Sequence, residues 1–347
     1  MKVYVHLLTW NGIRYLPNLF ASLDSQTYKD FQLRIFDNGS QDGTYEYLRE
    51  HRPHDLVGRS MKNILFTGGH NVIMKSTLEH LQEDPKDTII ILLNQDLILH
   101  PEAIEQMLLP FADPAIASVQ PKLLRAFGEP TEDDVLEDMT QSDIIDSTGL
   151  VLHGDWRMYD RGEGAIDTGQ YDSSLDILGA NGALPAYRLS AILDVALQDG
   201  ELFDSDYVMY REDVDLALRL KRAGYDTRFA PRAIAHHYRG MYGGEKLTLW
   251  KRFLNRRRQR PIASALSLRN ELYTFIKHFS IGDMVWLSPR LVFFWGGRIC
   301  YAFFFESMSR KYLLKLFPAL PALLDKRRKI SEKAKVNMRA LSVYVSR

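Results

Sequence analysis

The chain has 347 residues, of which 46% are hydrophobic, and its 44 Lys and Arg residues balance 44 Asp and Glu residues to a formal net charge of zero. A chain of this length and apolar content buries a large core and forms one or two structural units, which excludes an intrinsically disordered protein. The single cysteine, Cys300, excludes an intramolecular disulfide framework and a zinc site built from several cysteines, and is typical of a reducing cytoplasm.

The charges are unevenly distributed along the chain. Residues 245–347 carry 22 Lys and Arg against 6 Asp and Glu, so residues 1–244 carry 22 against 38. The acidic body, near −16, is therefore followed by a basic tail, near +16. Because a basic segment attracts polyanions, this asymmetry predicts that the tail meets nucleic acid or an anionic membrane. We accordingly predict two regions, 1–244 and 245–347.

Short apolar runs alternate with helical patterns in the first part of the chain. The first run is better explained as a buried strand than as a signal peptide, because polar residues interrupt it early. The predicted strands are residues 3–8, 33–36, 63–66, 88–93 and 117–120, and the predicted helices are residues 16–26, 44–50, 71–82 and 101–111. This order predicts an α/β fold with a mostly parallel sheet, which binds ligands beyond the carboxyl ends of its strands.

The segments that follow are less regular. Residues 127–143 are rich in carboxylates and predict a solvated loop, and residues 144–178 predict irregular structure or a small hairpin. A helical pattern returns over residues 194–224.

Polar residues follow the first two predicted strands. Thr9 and Asn11 end the first, and Asp37 and Asn38 end the second. Amide and carboxylate groups at neighbouring strand ends can bind a nucleobase edge or a ribose, but the stretch DNGSQDG is equally typical of an Asx-turn and a helix cap. Both interpretations stay open at this point.

The next two strand ends indicate binding of a diphosphate and a cation. The stretch TGGHN, ending at Asn71, places glycines before a predicted helix, where free backbone N–H groups favour anions. Asp96 follows an apolar strand that ends at Asn94, and a carboxylate there is costly unless it is paired or binds a cation. We therefore predict that Asp96 binds Mg²⁺ or Mn²⁺ together with a nucleotide diphosphate.

Two later clusters carry further titratable groups. Glu212, Asp213 and Asp215 begin a predicted helix; the helix dipole is a sufficient explanation for Asp215, whereas one of the other two can face a cleft as a general base. His236 and His237 follow an apolar run, and one of them is expected to complete the carboxylate metal site.

Taken together, these motifs point to a known family. TWNG, FDNGSQDGT, GGHN, LNQD, DSTG, DRG, GANGALPAYR, YREDVDLALR and AHHYRG, in this order, resemble family 2 glycosyltransferases of the GT-A fold, and most closely their rhamnosyltransferase-like branch. The resemblance covers about residues 1–245. It implies one nucleotide-sugar-binding α/β domain and an inverting transferase that uses a divalent cation.

The resemblance also implies roles for individual residues. The positions expected to hold the nucleoside are Thr9, Asn11 and Asp37, with Asn38 and Asn71 lining the same pocket. Asn94 and Asp96 match the metal motif Asp-x-Asp, but Asn94 replaces its first aspartate with a neutral ligand. His237 matches the second protein ligand, with His236 as the alternative. Asp213 matches the catalytic base, and Glu212 matches a neighbour that helps to position the acceptor.

The basic tail contains the most apolar window of the chain, residues 286–305. Pro289, Arg290 and Arg298 interrupt this window, so we predict a helix lying in a membrane interface rather than crossing it, with a buried core helix as the alternative. The tail's aromatic residues occur in apolar blocks, which suit lipid better than stacked bases. The expected partner is an anionic membrane surface and not nucleic acid, with the protein peripheral on the cytoplasmic face.

The predicted function is transfer of a rhamnose-like sugar or a hexose from a dTDP- or UDP-sugar to a hydroxyl of a growing, lipid-linked cell-surface glycan. One alternative, motivated by Asn94, is a catalytically weak sugar-nucleotide-binding subunit that acts as a scaffold in a glycan assembly complex. A second alternative is a nucleotidyltransferase, although the stretch TWNGIRYL lacks the expected glycine-rich basic loop.

Overall fold

A computed structural model describes residues 1–128, 139–238 and 261–345. Its strands are β1 (Lys2–Thr9), β2 (Phe31–Asp37), β3 (Leu56–Arg59), β4 (Thr88–Asn94), β5 (Leu97–Leu99), β6 (Ile116–Gly128), β7 (Met139–Ser147), β8 (Leu150–Leu152), β9 (Met158–Asp160), β10 (Asp176–Ile177), β11 (Ala186–Arg188) and β12 (Asp226–His237). Its helices are α1 (Leu16–Asp24), α2 (Thr44–His51), α3 (Leu65–Glu79), α4 (Ala103–Leu108), α5 (Leu189–Val195), α6 (Glu212–Arg222), α7 (Pro261–His278), α8 (Ile281–Phe305), α9 (Ser307–Leu314) and α10 (Leu316–Lys333).

The central sheet runs in the order β10-β12-β6-β11-β4-β1-β2-β3, with β5 paired to β12 and β7 paired to β6. Strands β1 to β4 are parallel neighbours, as the alternation of strands and helices predicts. The second half is mixed, because β11 enters antiparallel between β4 and β6 while β12 runs parallel to β6. The predicted α/β class is confirmed, but the sheet is less parallel than expected.

The core lies on both faces of the sheet, because side chains alternate along each strand. Val3, Val5 and Leu7 of β1 pack in one cluster with α1 and α4, whereas Tyr4 packs on the opposite face with α3, α5 and α6. Burying each large apolar side chain contributes roughly 1.5–3 kcal/mol. The strands are therefore fixed rigidly, and so are the polar residues at their carboxyl ends.

One predicted strand is wrong. Residues 63–66 lead into helix α3, and β3 lies earlier, at residues 56–59. The stretch TGGHN is consequently inside a helix. The N–H of Thr67 donates to the carbonyl of Val208 at 3.2 Å and the N–H groups after it bond within the helix, so the stretch does not form an anion site. Gly69 serves packing instead, since a Cβ there would lie 2.4 Å from Cδ1 of Leu8. The glycine therefore lets α3 approach β1 closely.

The regions after residue 139 match their prediction in part. The stretch 144–178 includes the small hairpin of β8 and β9, as predicted. The helical prediction over residues 194–224 is wrong for residues 196–211, because only the end of α5 and the helix α6 are α-helical there. Most of the acidic segment 127–143 lies outside the described residues, as do the predicted boundary at residue 244 and the four arginines among residues 256–260 of the tail.

The C-terminal helices pack against the body of the protein. Tyr207, ahead of α6, forms a cluster with Tyr273 of α7 and Leu323 of α10. In α8, which includes the apolar window, Trp295 is buried against Phe275 of α7, whereas Phe304 and Phe305 are 68% and 76% exposed. The packing of Trp295 fits the core-helix alternative for part of the window, and the membrane-interface interpretation stays a prediction. None of the described helices is long and apolar enough to cross a membrane.

Candidate functional site

The carboxyl ends of β1 and β2 bring Thr9 and Asp37 together. The two residues are register partners, both are fully buried, and Oγ1 of Thr9 lies 3.3 Å from Oδ1 of Asp37. Asp37 also accepts hydrogen bonds from the Ser40 hydroxyl at 2.5 Å and the Ser40 N–H at 3.1 Å, and pairs with Arg59 at 3.2 Å. Its carboxylate therefore stiffens the strand end, and direct contact with a nucleoside requires exchange of one of these bonds.

Asn11 and Asn38 lie on the same edge. Oδ1 of Asn11 accepts from the N–H of Gln41 at 2.9 Å, which ties the two strand-end turns together. Asn38 is buried; its amide group donates to Asn63 at 3.0 Å, and its oxygen accepts from the N–H of Ile64 at 2.9 Å. Asn11 is the exposed member of this pair.

Asn71 lies elsewhere. It sits in the middle of α3, where its oxygen accepts from the N–H groups of Leu202 and Phe203 at 3.1 and 3.0 Å and its amide donates to the Phe203 carbonyl at 2.9 Å. Asn71 therefore holds the segment that leads towards α6. Its proposed place in the nucleoside pocket is not supported by these contacts.

The carboxyl ends of β1, β2 and β4, at Thr9, Asp37 and Asn94, form one edge of the sheet, here called the donor edge. Asn94 joins this edge to a second part of the site through the backbone. Its N–H donates to the carbonyl of Ala183 at 3.0 Å, and the adjacent N–H, of Gly182, donates to Oδ2 of Asp213 at 3.0 Å. One short segment thus contacts both the end of β4 and the start of α6. The sequence places these two points more than a hundred residues apart.

Asp96 and His237 meet at the turn after β4. Nε2 of His237 lies 3.3 Å from Oδ1 of Asp96, and Nδ1 of His237 lies 2.9 Å from Oδ2 of the fully buried Asp146. Burial alone would lower the pKa of His237, but the charge of Asp96 and the hydrogen bonds to Asp146 and Asp96 raise this pKa to about 10. Without a metal, this histidine is an imidazolium held between two carboxylates.

The same arrangement fits a divalent cation in place of the proton on Nε2. A carboxylate oxygen and an imidazole nitrogen are adjacent, and Asp146 orients the ring from behind, as carboxylates do behind metal-bound histidines. No group of three or more potential protein ligands occurs within the described ranges. Two protein ligands suffice for Mg²⁺ or Mn²⁺ when substrate phosphates complete the coordination.

His236 does not share this position. Successive side chains of a strand point to opposite faces, and the neighbours that affect the pKa of His236 are Asp143 and His100 rather than Asp96. Burial lowers the pKa of His236. The geometry thus favours His237 as the metal ligand.

Glu212 and Asp213 occupy the first turn of α6. Asp213 is half-buried, and its two oxygens accept from the N–H groups of Gly182 and Val214 at 3.0 and 2.8 Å. Glu212 is only 6% exposed, and its Oε2 has no hydrogen-bond partner among the described residues. The two side chains point in different directions, as expected for neighbours at a helix start.

The two carboxyl groups differ in protonation. Burial and the nearby charge of Asp213 raise the pKa of Glu212 to about 8, so Glu212 is mostly protonated at neutral pH. Burial and the charge of Asp160 also raise the pKa of Asp213, while its two backbone hydrogen bonds oppose the shift. A carboxylate with a raised pKa is a stronger base, so Asp213 has the properties of a general base.

The segment directly before α6 is strained. Val208, Tyr210 and Arg211 have φ values of 65°, 71° and 69°, although none is glycine. Val208 has a ψ of −56°, and the N–H of Met209 donates to the carbonyl of Tyr207 at 2.6 Å, which defines a γ-turn of the rare positive-φ type. Each such residue costs on the order of 1–3 kcal/mol. The surrounding structure must therefore hold this segment in place.

A buried ionic cluster lies behind the same turn. Asp215 accepts from Lys277 at 2.6 Å, from Arg219 at 2.9 Å and from His278 at 2.9 Å. Lys277 also pairs with Asp204 at 2.6 Å, and all five side chains are at most 2% exposed. Burial tends to raise the pKa of Asp215, but the charges of Lys277 and Arg219 hold it well below the usual value. Asp215 is thus a structural ion and does more than complement the helix dipole.

The sequence did not indicate a role for three residues whose hydrogen bonds support the candidate site. Asp146 lies in the DSTG motif and Gln95 in the LNQD motif, so both motifs were noticed without a role for these residues. Gln95 accepts from the N–H of Trp10 at 2.8 Å and donates to its carbonyl at 3.0 Å, which locks the β1 turn to the β4 turn. The third, Asn270, lies in the basic tail with no local signal at all.

Comparison with protein families accounts for this arrangement. Residues 4–163 match the model of glycosyl transferase family 2, and residues 89–324, more than half of the chain, match that of glycosyl transferase family group 2. The chain belongs to the family 2 glycosyltransferases. A relative among characterised proteins is the O-antigen chain rhamnosyltransferase RfbN of Salmonella typhimurium, with 23% identity over 238 residues. The match spans 68% of this transferase and 66% of that relative.

Solved structures show the same fold. GalNAc-T7 with UDP, GalNAc and Mn²⁺ matches 84% of this glycosyltransferase and 50% of its own chain, with 11% identity and a TM-score of 0.55. The mannosyltransferase PcManGT of Pyrobaculum calidifontis, in complex with GDP-Man and Mn²⁺, matches 96% of this chain and 85% of its own, with 13% identity and a TM-score of 0.50. The GT-A fold expected from the sequence is confirmed.

Proposed function

We propose that this glycosyltransferase transfers a rhamnose-like sugar or a hexose, with inversion, from a dTDP- or UDP-sugar to a hydroxyl of a lipid-linked cell-surface glycan. The observation that carries the proposal is the position of Asp213. Its carboxylate, with a raised pKa, is held by the same Gly182–Ala183 segment that contacts Asn94 at the donor edge. The 23% identity with an O-antigen rhamnosyltransferase supports rhamnose as the first choice of sugar.

The mechanism is a single displacement. Oδ of Asp213 accepts the proton of the acceptor hydroxyl while the hydroxyl oxygen attacks the anomeric carbon from the face opposite the diphosphate. The bond from carbon to the diphosphate oxygen breaks as the new glycosidic bond forms, so the configuration is inverted. Glu212, protonated at neutral pH, can donate a hydrogen bond to the acceptor. Asp96 and His237 would hold a divalent cation, which when bound stabilises the charge of the departing diphosphate.

The test is formation of a glycosylated product from a radiolabelled donor. A thermal-shift screen of nucleotide sugars with Mn²⁺ or Mg²⁺ selects the donor first, because a ligand stabilises the folded protein by mass action. Transfer of label to a lipid-extractable glycan supports the proposal. Donor binding without any product would instead favour the scaffold subunit suggested by Asn94.

His237→Ala should weaken Mn²⁺ binding by at least about tenfold, because it removes the imidazole beside Asp96. His236→Ala is the matched control, since its side chain faces away from Asp96, and we expect it to bind Mn²⁺ like the wild type. Binding is measured by electron paramagnetic resonance of Mn²⁺ in the presence of UDP. Equal Mn²⁺ affinity in the wild type and His237→Ala would contradict the proposed site.

We further propose that the C-terminal helices dock on the cytoplasmic face of the membrane. An aromatic surface of exposed apolar side chains runs along α8, α9 and α10: Tyr301, Phe304, Phe305, Met308, Leu314, Phe317, Leu320 and Leu324. Arg310, Lys311 and Lys315 are exposed between them. Apolar side chains interleaved with basic ones are typical of helices that lie in an anionic interface, where each nearby cation contributes about 1 kcal/mol.

Replacing Phe304, Phe305 and Phe317 together by Ser should lower binding to vesicles that contain phosphatidylglycerol by about tenfold or more, because three aromatic side chains no longer enter the interface. Flotation of the full chain measures the bound fraction. Val343→Ser, which removes a 77% exposed side chain outside the aromatic surface, is the control. Equal flotation of the triple variant and the wild type would contradict docking through the aromatic surface, and equal binding to neutral and anionic vesicles would contradict the proposed anionic interface.

A further inference from the structure

We propose that Asn270, in the C-terminal helix α7, is a positioning residue that keeps Glu212 and Asp213 in their reactive positions. This inference rests on the proposed role of Asp213 as the base. It gives the basic tail a function within the catalytic centre, in addition to the membrane docking proposed above. Hydrogen bonds connect α7 to the strained segment before α6.

Asn270 bonds the carbonyls of that segment. Its amide Nδ2 lies 2.9, 2.8 and 2.7 Å from the carbonyl oxygens of Tyr207, Met209 and Tyr210. The carbonyls of Tyr207 and Met209 flank Val208, and the third carbonyl belongs to Tyr210. Val208 and Tyr210 are two of the residues with positive φ. Asn270 is fully buried, so water does not compete for these bonds. The two N–H groups of one buried amide are therefore shared among three backbone carbonyls of the strained turn.

The orientation of the Asn270 amide is itself fixed. Oδ1 accepts from Nε of Arg269 at 2.9 Å, so the nitrogen must face the turn. Nη2 of Arg269 donates to the carbonyls of Asp206 and Tyr207 at 2.9 and 3.1 Å. Asn270 thus acts as a rigid donor, and its neighbour bonds the same stretch of backbone.

The segment that Asn270 holds, residues 207–211, leads directly to Glu212 and Asp213. Arg211 is the residue before α6, it has left-handed φ, and its guanidinium pairs with Glu271 of α7 at 2.9 Å. Glu212 and Asp213 follow without an intervening flexible residue. A relaxation of the turn towards ordinary φ values would rotate the first turn of α6 and move the Asp213 carboxylate. Small displacements of a catalytic group lower turnover steeply.

The experiment compares Asn270→Ala with the double variant Asn270→Ala/Val208→Gly. Glycine adopts positive φ without strain, so Val208→Gly removes one of the three strained φ values that favour relaxation of the turn. Turnover is followed as dTDP release from dTDP-rhamnose with Mn²⁺, and amide hydrogen exchange is followed across residues 207–213. We expect kcat to fall about 100-fold in Asn270→Ala with an unchanged KM for the donor. The double variant should regain at least about tenfold of this loss, and exchange in 207–213 should accelerate only in the single variant.

Ser264→Ala, a polar-to-alanine change on the same helix, is the control and should leave kcat and exchange unchanged. If Val208→Gly does not restore the kcat lost in Asn270→Ala, Asn270 only stabilises the fold. If amide exchange across residues 207–213 in Asn270→Ala is the same as in the wild type, Asn270 does not hold the turn. Either result overturns the inference. If Asn270→Ala does not fold, Asn270→Ser replaces it under the same criteria. If Asp213→Asn turns over at the wild-type rate, the assignment of Asp213 as the base is wrong. The exchange measurement still tests separately whether Asn270 holds the turn.

Discussion

Asp213→Asn should lower the rate of sugar transfer by about 10³-fold while the affinity for the nucleotide sugar stays within about threefold of wild type. The amide keeps the shape of the carboxylate but cannot accept the proton of the acceptor hydroxyl. Donor binding is spared because Asp213 lies at the start of α6, whereas Thr9 and Asp37 lie at the ends of β1 and β2. Single-turnover transfer of radiolabel and donor titration by calorimetry measure the two quantities separately.

The contacts of Asp213 make this substitution a mild one for the fold. Within the described part of the chain, only the backbone N–H groups of Gly182 and Val214 donate to its carboxylate, and an amide oxygen can accept one of these bonds. Asp199→Asn is the matched control, because Asp199 is exposed in the loop after α5 and its charge is removed in the same way. Transfer by Asp213→Asn at the wild-type rate would show that another group takes the proton.

Asp215→Ala should destabilise the protein by about 3–5 kcal/mol, the second of the two largest effects. The carboxylate is fully buried, and its removal leaves the buried charges of Lys277 and Arg219 with fewer partners. Thermal unfolding followed by circular dichroism should show a fall of the midpoint by several degrees or more. Asp194→Ala, which removes an exposed carboxylate paired with Lys333 at 3.7 Å, is the control and should cost less than about 1 kcal/mol.

A double variant tests the cause. Asp215→Leu/Arg219→Met replaces the carboxylate and the guanidinium paired with it by apolar side chains, while Lys277 keeps its pair with Asp204. It should recover much of the stability lost in Asp215→Ala, because the cost comes mainly from a buried charge left without its partner. If the double variant is less stable than Asp215→Ala, the explanation from unpaired charge is wrong.

The same residue sets a pH dependence. Because the pKa of Asp215 is depressed in the folded state, its contribution to stability is complete above the unfolded pKa of about 3.9 and is lost as the pH falls from there through the folded value. The wild type should therefore lose stability relative to Asp215→Ala below about pH 4. Parallel acid-unfolding curves of the two proteins below this pH would contradict the depressed pKa.

Much of the donor edge could be predicted from the sequence because its signals are local. Each of β1, β2 and β4 is an apolar run that ends in polar residues, and parallel strands place their carboxyl ends at one edge. That rule places Thr9 and Asp37 at the same edge, and the structure shows that they are register partners. The alternation of His236 and His237 on a strand is likewise a local property, and the structure uses it to turn only His237 towards Asp96.

One local signal gave a wrong prediction, the strand at residues 63–66. The short apolar stretch at residues 63–66 is compatible with a strand or a helix start, and periodicity over four residues cannot distinguish them. In the structure β2 pairs with the weakly apolar residues 56–59, and α3 then needs Gly69 to pass close to Leu8. Packing of the whole sheet decides which segment pairs with β2, and it can override the local pattern of apolar residues.

The sequence by itself determined the fold class, the family, the charge asymmetry and the identity of the candidate base, because each depends on residue type and order along the chain. Only the tertiary structure decided that Asp146 supports His237, that Asn71 holds the segment before α6, and that Asn270 in the basic tail bonds the turn before Asp213. The physical reason is that a hydrogen bond forms between groups about 3 Å apart, whatever their separation in the chain. No local propensity encodes such a distance until the sheet and helices have packed.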